Sequence, residues 1–155
     1  MASLDHDNLT PEQQYTVFGC GCRCLIRLAA IHGKIVTWED LEKRFSHLFP
    51  PKRFGLTNTA EQIEIAKGLG LCDSANSFRD LREIKLIIKE KTHRGILVLT
   101  DRDKDNNPLF HCRLLLKCNE DNAFLYSPCQ SGKDYDLPQS WVDLEKEMVH
   151  FLVFV

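Results

Sequence analysis

No stretch of this sequence approaches the roughly 20 apolar residues that a membrane-spanning helix needs. Its longest apolar runs, "GILVLT" and "HFLVFV", have the length of strands. The N-terminus, "MASLDHDNLTPEQQ", is polar and lacks the apolar stretch of about 7–15 residues that marks a secretory signal. These absences predict a cytoplasmic protein, or one exported by a route that needs no cleaved signal. Charge of one sign is not in excess either. Twenty Lys and Arg face 22 Asp and Glu, a net charge of −2, so no basic field argues for nucleic acid or an anionic membrane as partner. Runs such as "EKRF" and "KEKTHR" carry both signs or lie on predicted helix faces and read as solvated surface. Internal repeats and low-complexity segments are missing. The 155 residues fit one domain with a proper core, with residues 1–9 as a flexible tail and 10–155 as the folded unit.

What the chain does have is seven cysteines. An odd number in a chain expected to stay reduced argues against a disulfide framework. Three of them alternate in "QYTVFGCGCRC", residues 14–24. The segment "CGCRCLIRLAAIHG" is apolar on most sides, interrupted only by Arg23 and Arg27, and predicts a buried central helix stopped by Gly33. Within such a helix Cys22 and Cys24 point about 200° apart. No second CxxC-like pair accompanies them, so no metal site is read. Cys22, Cys24, Cys72, Cys112 and Cys118 read as small buried hydrophobes. Cys20 differs, because a thiolate at a helix N-terminus is stabilised by free N–H groups and the macrodipole. The glycine after it lets a substrate backbone approach.

The rest of the chain supplies the frame. Thr10 before Pro11 is a helix-start signal. "TWEDLEKRFSHLF" predicts a helix with a Thr37–Asp40 capping box and a buried stripe of Trp38, Leu41, Phe45 and Leu48. "PPKRFGLTN" reads as a loop. A second capping box, Thr59 with Gln62, opens a helix to about Lys67, and "SFRDLREIKLIIKEK" predicts a third helix with Leu81, Ile84, Ile87 and Ile88 inward. From there the period is that of strands: "RGILVLT", "LFHCRLLLKC" and "AFLYS". "PCQSGKDYDLP" reads as a loop, "QSWVDLEKEM" as a short helix and "VHFLVFV" as a last strand. Helices first and an antiparallel sheet second predict an α+β architecture. A nucleophilic cysteine needs a histidine base. Of the six histidines, His111 opens a strand after a polar turn and is the best placed, although strand position alone fits a structural histidine better.

The residues now resemble a family. Gln14, five residues, then Cys20-Gly21 with Cys24 opening a central helix matches the register of the double-glycine leader peptidases, papain-like cysteine peptidases of bacteriocin-exporting transporters. "AAIHG", "GLTNTAEQIEIAKGLGL", "RGILVLT", "FHCRLLLK", "LYSPCQSG" and Trp141 follow in the family's order, over about residues 10–155. The resemblance implies a papain-like α+β fold and a thiol peptidase needing no cofactor and no metal. Cys20 would be the nucleophile, His111 the base and Gln14 an oxyanion donor beside the Cys20 N–H. Ser127 stands where the family places an aspartate before proline, and a hydroxyl can orient the ring without bringing charge. Asp121 or Asp134 would be substitutes. Three activities fit: cleavage of a peptide or protein; acyl transfer or glutamine deamidation by the same thiol; or a degenerate, non-catalytic domain that binds a peptide or partner protein.

Overall fold

The computed structural model describes residues 20–48, 59–102, 105–106, 108–128 and 134–155. The readings of a tail at 1–9, a helix start at Thr10–Pro11 and a loop at "PPKRFGLTN" lie largely or wholly outside them. Five α-helices are described, α1 (Cys20–Ile31), α2 (Trp38–Arg44), α3 (Thr59–Gly68), α4 (Leu81–Glu90) and α5 (Trp141–Lys146), with a 3-10 turn at Ser46–Leu48. Six strands, β1 (Ala75–Phe78), β2 (Gly95–Arg102), β3 (Pro108–Cys118), β4 (Asn122–Pro128), β5 (Asp134–Ser140) and β6 (Met148–Phe154), form one sheet in the order β1-β6-β2-β3-β4-β5. Every pairing is antiparallel. The architecture is α+β.

Local signals explain several boundaries. Gly33 ends α1 in the left-handed region at φ 78°, and Lys34 N–H returns to Ala29 O at 2.8 Å, a glycine-terminated cap. The Thr37–Asp40 capping box forms as expected, with Thr37 Oγ1 accepting from Asp40 N–H and Asp40 accepting from Thr37 N–H. Trp38, Leu41 and Phe45 are buried, but α2 stops at Arg44 and Leu48 packs from the following 3-10 turn.

Four expectations need correction. "SFRDLREIKLIIKEK" is not one helix. Residues 75–78 form an edge strand on β6, and α4 begins only after Asp80, whose carboxylate accepts from Arg82 N–H at 2.9 Å. "DYDLP" is not loop: β5 pairs with β4 from Asn122↔Ser140 to Pro128↔Asp134. Pro138 fits there because β5 is an edge strand, where a missing N–H costs no ladder bond. Thr59 is not an N-cap but the first helical residue of α3, and Gln62, its expected capping partner, is fully buried. Helices do not simply precede the sheet, since β1 comes before α4; α5, between β5 and β6, is the short helix expected before the last strand.

The sheet is covered on both faces. On one, α1 to α3 pack Cys22, Leu25, Leu28, Leu41 and Ile65 against Leu97, Cys112, Leu114, Tyr126 and Leu152. On the other, Leu81 and Ile84 of α4 and Trp141 and Leu144 of α5 pack against Ile96, Val98, Leu125, Phe151 and Val153. Strand alternation decides the division: Leu97 faces α1 while Ile96 and Val98 face α4. No helix among the described residues is long and apolar enough to cross a membrane.

Candidate active site

The cysteine motif resolves into two faces of α1. Cys20 and Cys24, four residues apart, share a face; Cys22 lies away from it. The shared face meets β3 at one residue. The Cys112 N–H is hydrogen-bonded to the Cys20 sulfur, and the Cys24 thiol donates to Cys112 O at 3.4 Å. The β3–β4 ladder has ended just before, at Leu114↔Tyr126. The two thiols of α1 thus occupy both backbone groups of Cys112. Cys22 and Cys24 are fully buried and Cys20 is partly exposed, which fits the reading of Cys22 and Cys24 as small hydrophobes.

One residue earlier on β3, His111 Nε2 lies 2.9 Å from Ser127 Oγ on β4, in a partly buried setting. The two residues chosen from sequence as base and orienting group are therefore together. Cys20 reaches the same strand through Cys112, and no hydrogen bond joins Cys20 to His111. Consecutive strand side chains leave on opposite faces. Cys112 points into the α1 core, whereas Thr100, the cross-strand partner of His111, carries a bond from Arg113 on the far face. Gln14 lies outside the described residues. Asp121 is no substitute for a carboxylate at Ser127. It sits just beyond the opposite end of β4, about 20 Å away at strand rise. Asp134 pairs in register with Pro128, next to Ser127.

Burial dominates the electrostatics. The Cys20 thiol is pushed up to about 12, first by desolvation and then by the neighbouring Cys112 thiol; the N–H groups of Cys112 and Gly21, with Arg23, pull it down less. Cys22 and Cys24 are also raised well above the ordinary thiol range by desolvation. His111 is pushed down to about 4, first by desolvation, then by the Arg113 guanidinium, with Glu147 opposing and Arg23 adding to the fall. Near pH 7 this arrangement holds a neutral thiol and a neutral imidazole. The helix N-terminus, which was expected to favour a thiolate, is outweighed by the cost of removing a charged sulfur from water.

Two features escaped the sequence reading. Arg23 is 1% exposed, inside α1 rather than on a wet edge, and it acts on both Cys20 and His111. Arg113, 8% exposed, anchors a partly buried polar cluster. Its Nη2 donates to Thr100 Oγ1 at 2.9 Å and to Glu147 Oε2 at 2.7 Å, and its Nη1 donates to Gln139 Oε1. Gln139 Nε2 closes the ring onto Glu147 Oε1 at 2.9 Å. The signal available was an arginine at an apolar-phase position of "HCRLLLK". Among the described residues no group of three or more His, Cys, Asp or Glu is arranged to hold a metal ion.

No protein-family model matches the chain. No curated protein matches it either. Among solved structures, the peptidase domain of Streptococcus ComA, a bi-functional ABC transporter involved in a quorum-sensing pathway, superposes with a TM-score of 0.59 at 15% identity. The match covers 87% of this chain and 90% of that domain. This chain is thus similar in fold to a peptidase domain over nearly its whole length.

Proposed function

We propose that the protein is a papain-like thiol hydrolase that attacks a peptide or amide carbonyl through Cys20. The observation that most supports this is the 2.9 Å pairing of His111 with Ser127, on the strand whose next residue contacts the Cys20 sulfur, in a fold shared with a peptidase domain. With Nε2–H donated to Ser127, His111 Nδ1 carries the free lone pair and serves as base. Once substrate binding brings the ring round the end of the sheet to the sulfur, it takes the Cys20 proton as the sulfur bonds to the carbonyl carbon, and returns that proton to the leaving amine. Water, deprotonated by the same ring, then hydrolyses the thioester. The developing oxyanion is held by the Cys20 N–H and the Gln14 side chain. Because Cys20 is neutral at rest, proton transfer accompanies substrate binding rather than preceding it. Acyl transfer and deamidation use the same thioester and differ only in what attacks it or in which amide is attacked.

A second reading, a peptide-binding domain that has lost catalysis, is favoured by specific features. Ser127 brings no charge, both candidate groups are neutral, and no hydrogen bond joins them. One experiment separates the readings. Folded wild type, Cys20→Ala and His111→Ala proteins are incubated with a fluorogenic peptide library and with a peptide carrying a thiol-directed electrophile. The hydrolase reading expects turnover and labelling at Cys20, abolished by Cys20→Ala and reduced at least about 100-fold by His111→Ala. Peptide binding without turnover or labelling would establish the second reading. Added amines that capture the acyl group would assign a transferase.

A further inference from the structure

Three thiols meet at one point of the α1–β3 contact, and only one of them faces solvent. Cys112 is 2% exposed and Cys24 fully buried, whereas Cys20 is partly exposed. Cys112 lies between the other two, its N–H on the Cys20 sulfur and its carbonyl on the Cys24 thiol. Its side chain belongs to the core that α1 forms with the sheet.

We propose that Cys112 is a resolving thiol for Cys20: hydrogen peroxide oxidises Cys20, and the two sulfurs then close a reversible disulfide between α1 and β3. The placement imposes an order. Cys20, the one partly exposed thiol of the three, is the one peroxide meets first, and Cys112 is buried behind it. In the first step the Cys20 thiolate attacks one peroxide oxygen and the O–O bond breaks. Hydroxide leaves and is protonated, and the sulfur becomes a sulfenic acid, oxidised by two electrons. In the second step the Cys112 sulfur attacks the Cys20 sulfur and the S–OH bond breaks. The departing hydroxide takes the Cys112 proton as water. Two thiols and one peroxide give one disulfide and two waters. Cys24 is the poorer partner for Cys20. Residues four apart on a helix hold their Cβ atoms about 5–6 Å apart, beyond the roughly 3.5–4.5 Å of a disulfide.

The bridge would stop Cys20 at a reversible stage instead of letting it proceed to sulfinic acid. In a reducing compartment such a disulfide is transient, as redox-sensing ones are. The high thiol pKa of Cys20 makes the first step slow near neutrality, and its rate rises about tenfold per pH unit between pH 7 and 9 as the thiolate fraction grows. The inference adds regulation to the sulfur that the thiol-hydrolase reading uses, but it is read by mass, so either can fail alone.

The test treats reduced full-length protein with hydrogen peroxide, blocks remaining thiols with N-ethylmaleimide and maps peptides by mass spectrometry. Wild type is expected to show a Cys20–Cys112 bridge that dithiothreitol reverses. Cys112→Ser and Cys112→Ala, each checked for native circular dichroism, are expected to carry Cys20 as sulfinic or sulfonic acid. In Cys20→Ser, Cys112 is expected to stay reduced. The proposal is overturned if wild-type Cys20 reaches sulfinic acid while Cys112 remains free. A bridge between Cys24 and Cys112, oxidation of Cys112 in Cys20→Ser, or a wild type in which Cys118 oxidises while Cys20 does not would overturn it equally.

Discussion

At the scale of single residues, the protonation of His111 has consequences for stability as well as chemistry. Its folded pKa of about 4 lies below the ordinary 6.5, so the unfolded chain binds a proton at a pH where the folded chain does not. Stability from this ring is present above pH 6.5 and is lost as pH falls through 4, a change of at most about 3 kcal/mol. Urea unfolding of wild type should therefore weaken between pH 7 and 4.5, and His111→Gln should show a flatter profile. Parallel profiles would place the pH sensitivity elsewhere. Ser127 tests the same ring from its other side. Ser127→Asp sets a carboxylate on Nε2 and should raise the His111 pKa, bringing it closer to matching Cys20. Ser127→Ala should remove a bond of roughly 0.5–1.5 kcal/mol. Ring-proton titration by NMR in the three proteins checks both, and three coincident curves would show that Ser127 does not govern the histidine. Cys20 stands out in the sequence by its place at a helix start, whereas His111 and Ser127 take their roles only from the resemblance to a peptidase family, since a histidine or serine on a strand carries no local mark of its own. Their protonation states are not legible there, because desolvation depends on which apolar groups the fold stacks around them.

At the scale of elements, what sequence conceals is what backbone pairing creates. β1 has the burial pattern of an edge, with Asn76 and Ser77 exposed, and no apolar alternation announces it. It exists because residues 75–78 pair with Phe151–Phe154. β5 contains Pro138 and reads as loop until β4 supplies its ladder. The helices were more legible, since capping boxes and apolar stripes are local. The Arg113 cluster ties β5 into the fold, because it joins β2, β3, β5 and the residue between α5 and β6. A buried pair of this kind is costly to break on one side. Arg113→Met leaves Glu147 without its cation and should destabilise by about 3–5 kcal/mol. The double variant Arg113→Met/Glu147→Gln should recover a large part of that loss. Chemical denaturation of the two variants beside wild type reads the coupling, and a double variant no more stable than Arg113→Met would show that the pair is not the source.

At the scale of the whole molecule, the sheet is a partition. The candidate site lies along its boundary, with Cys20 on the α1 side and the Arg113 cluster on the other. Each face has its own core, and helices of one face do not contribute to the core of the other. Ile65 of α3 and Ile84 of α4 are both fully buried, one on each side. Removing one methylene from either leaves a small cavity and should cost about 0.5–1.5 kcal/mol. If the sheet behaves as a stiff divider, the two cavities share no packing partner, and Ile65→Val with Ile84→Val should lose the sum of the single losses to within about 0.5 kcal/mol. The reactivity of Cys20 is the second readout. Ile65→Val loosens the core in which the α1 cysteines are packed and should speed Cys20 alkylation in the folded protein, whereas Ile84→Val should leave it at the wild-type rate. Denaturation midpoints and alkylation rates of the four proteins, measured at one pH, decide the matter. Losses that depart from additivity by more than that margin, or faster alkylation in Ile84→Val, would mean that the sheet transmits strain from one core to the other. His111 and Cys20 would then be coupled through the sheet backbone rather than merely adjacent across it.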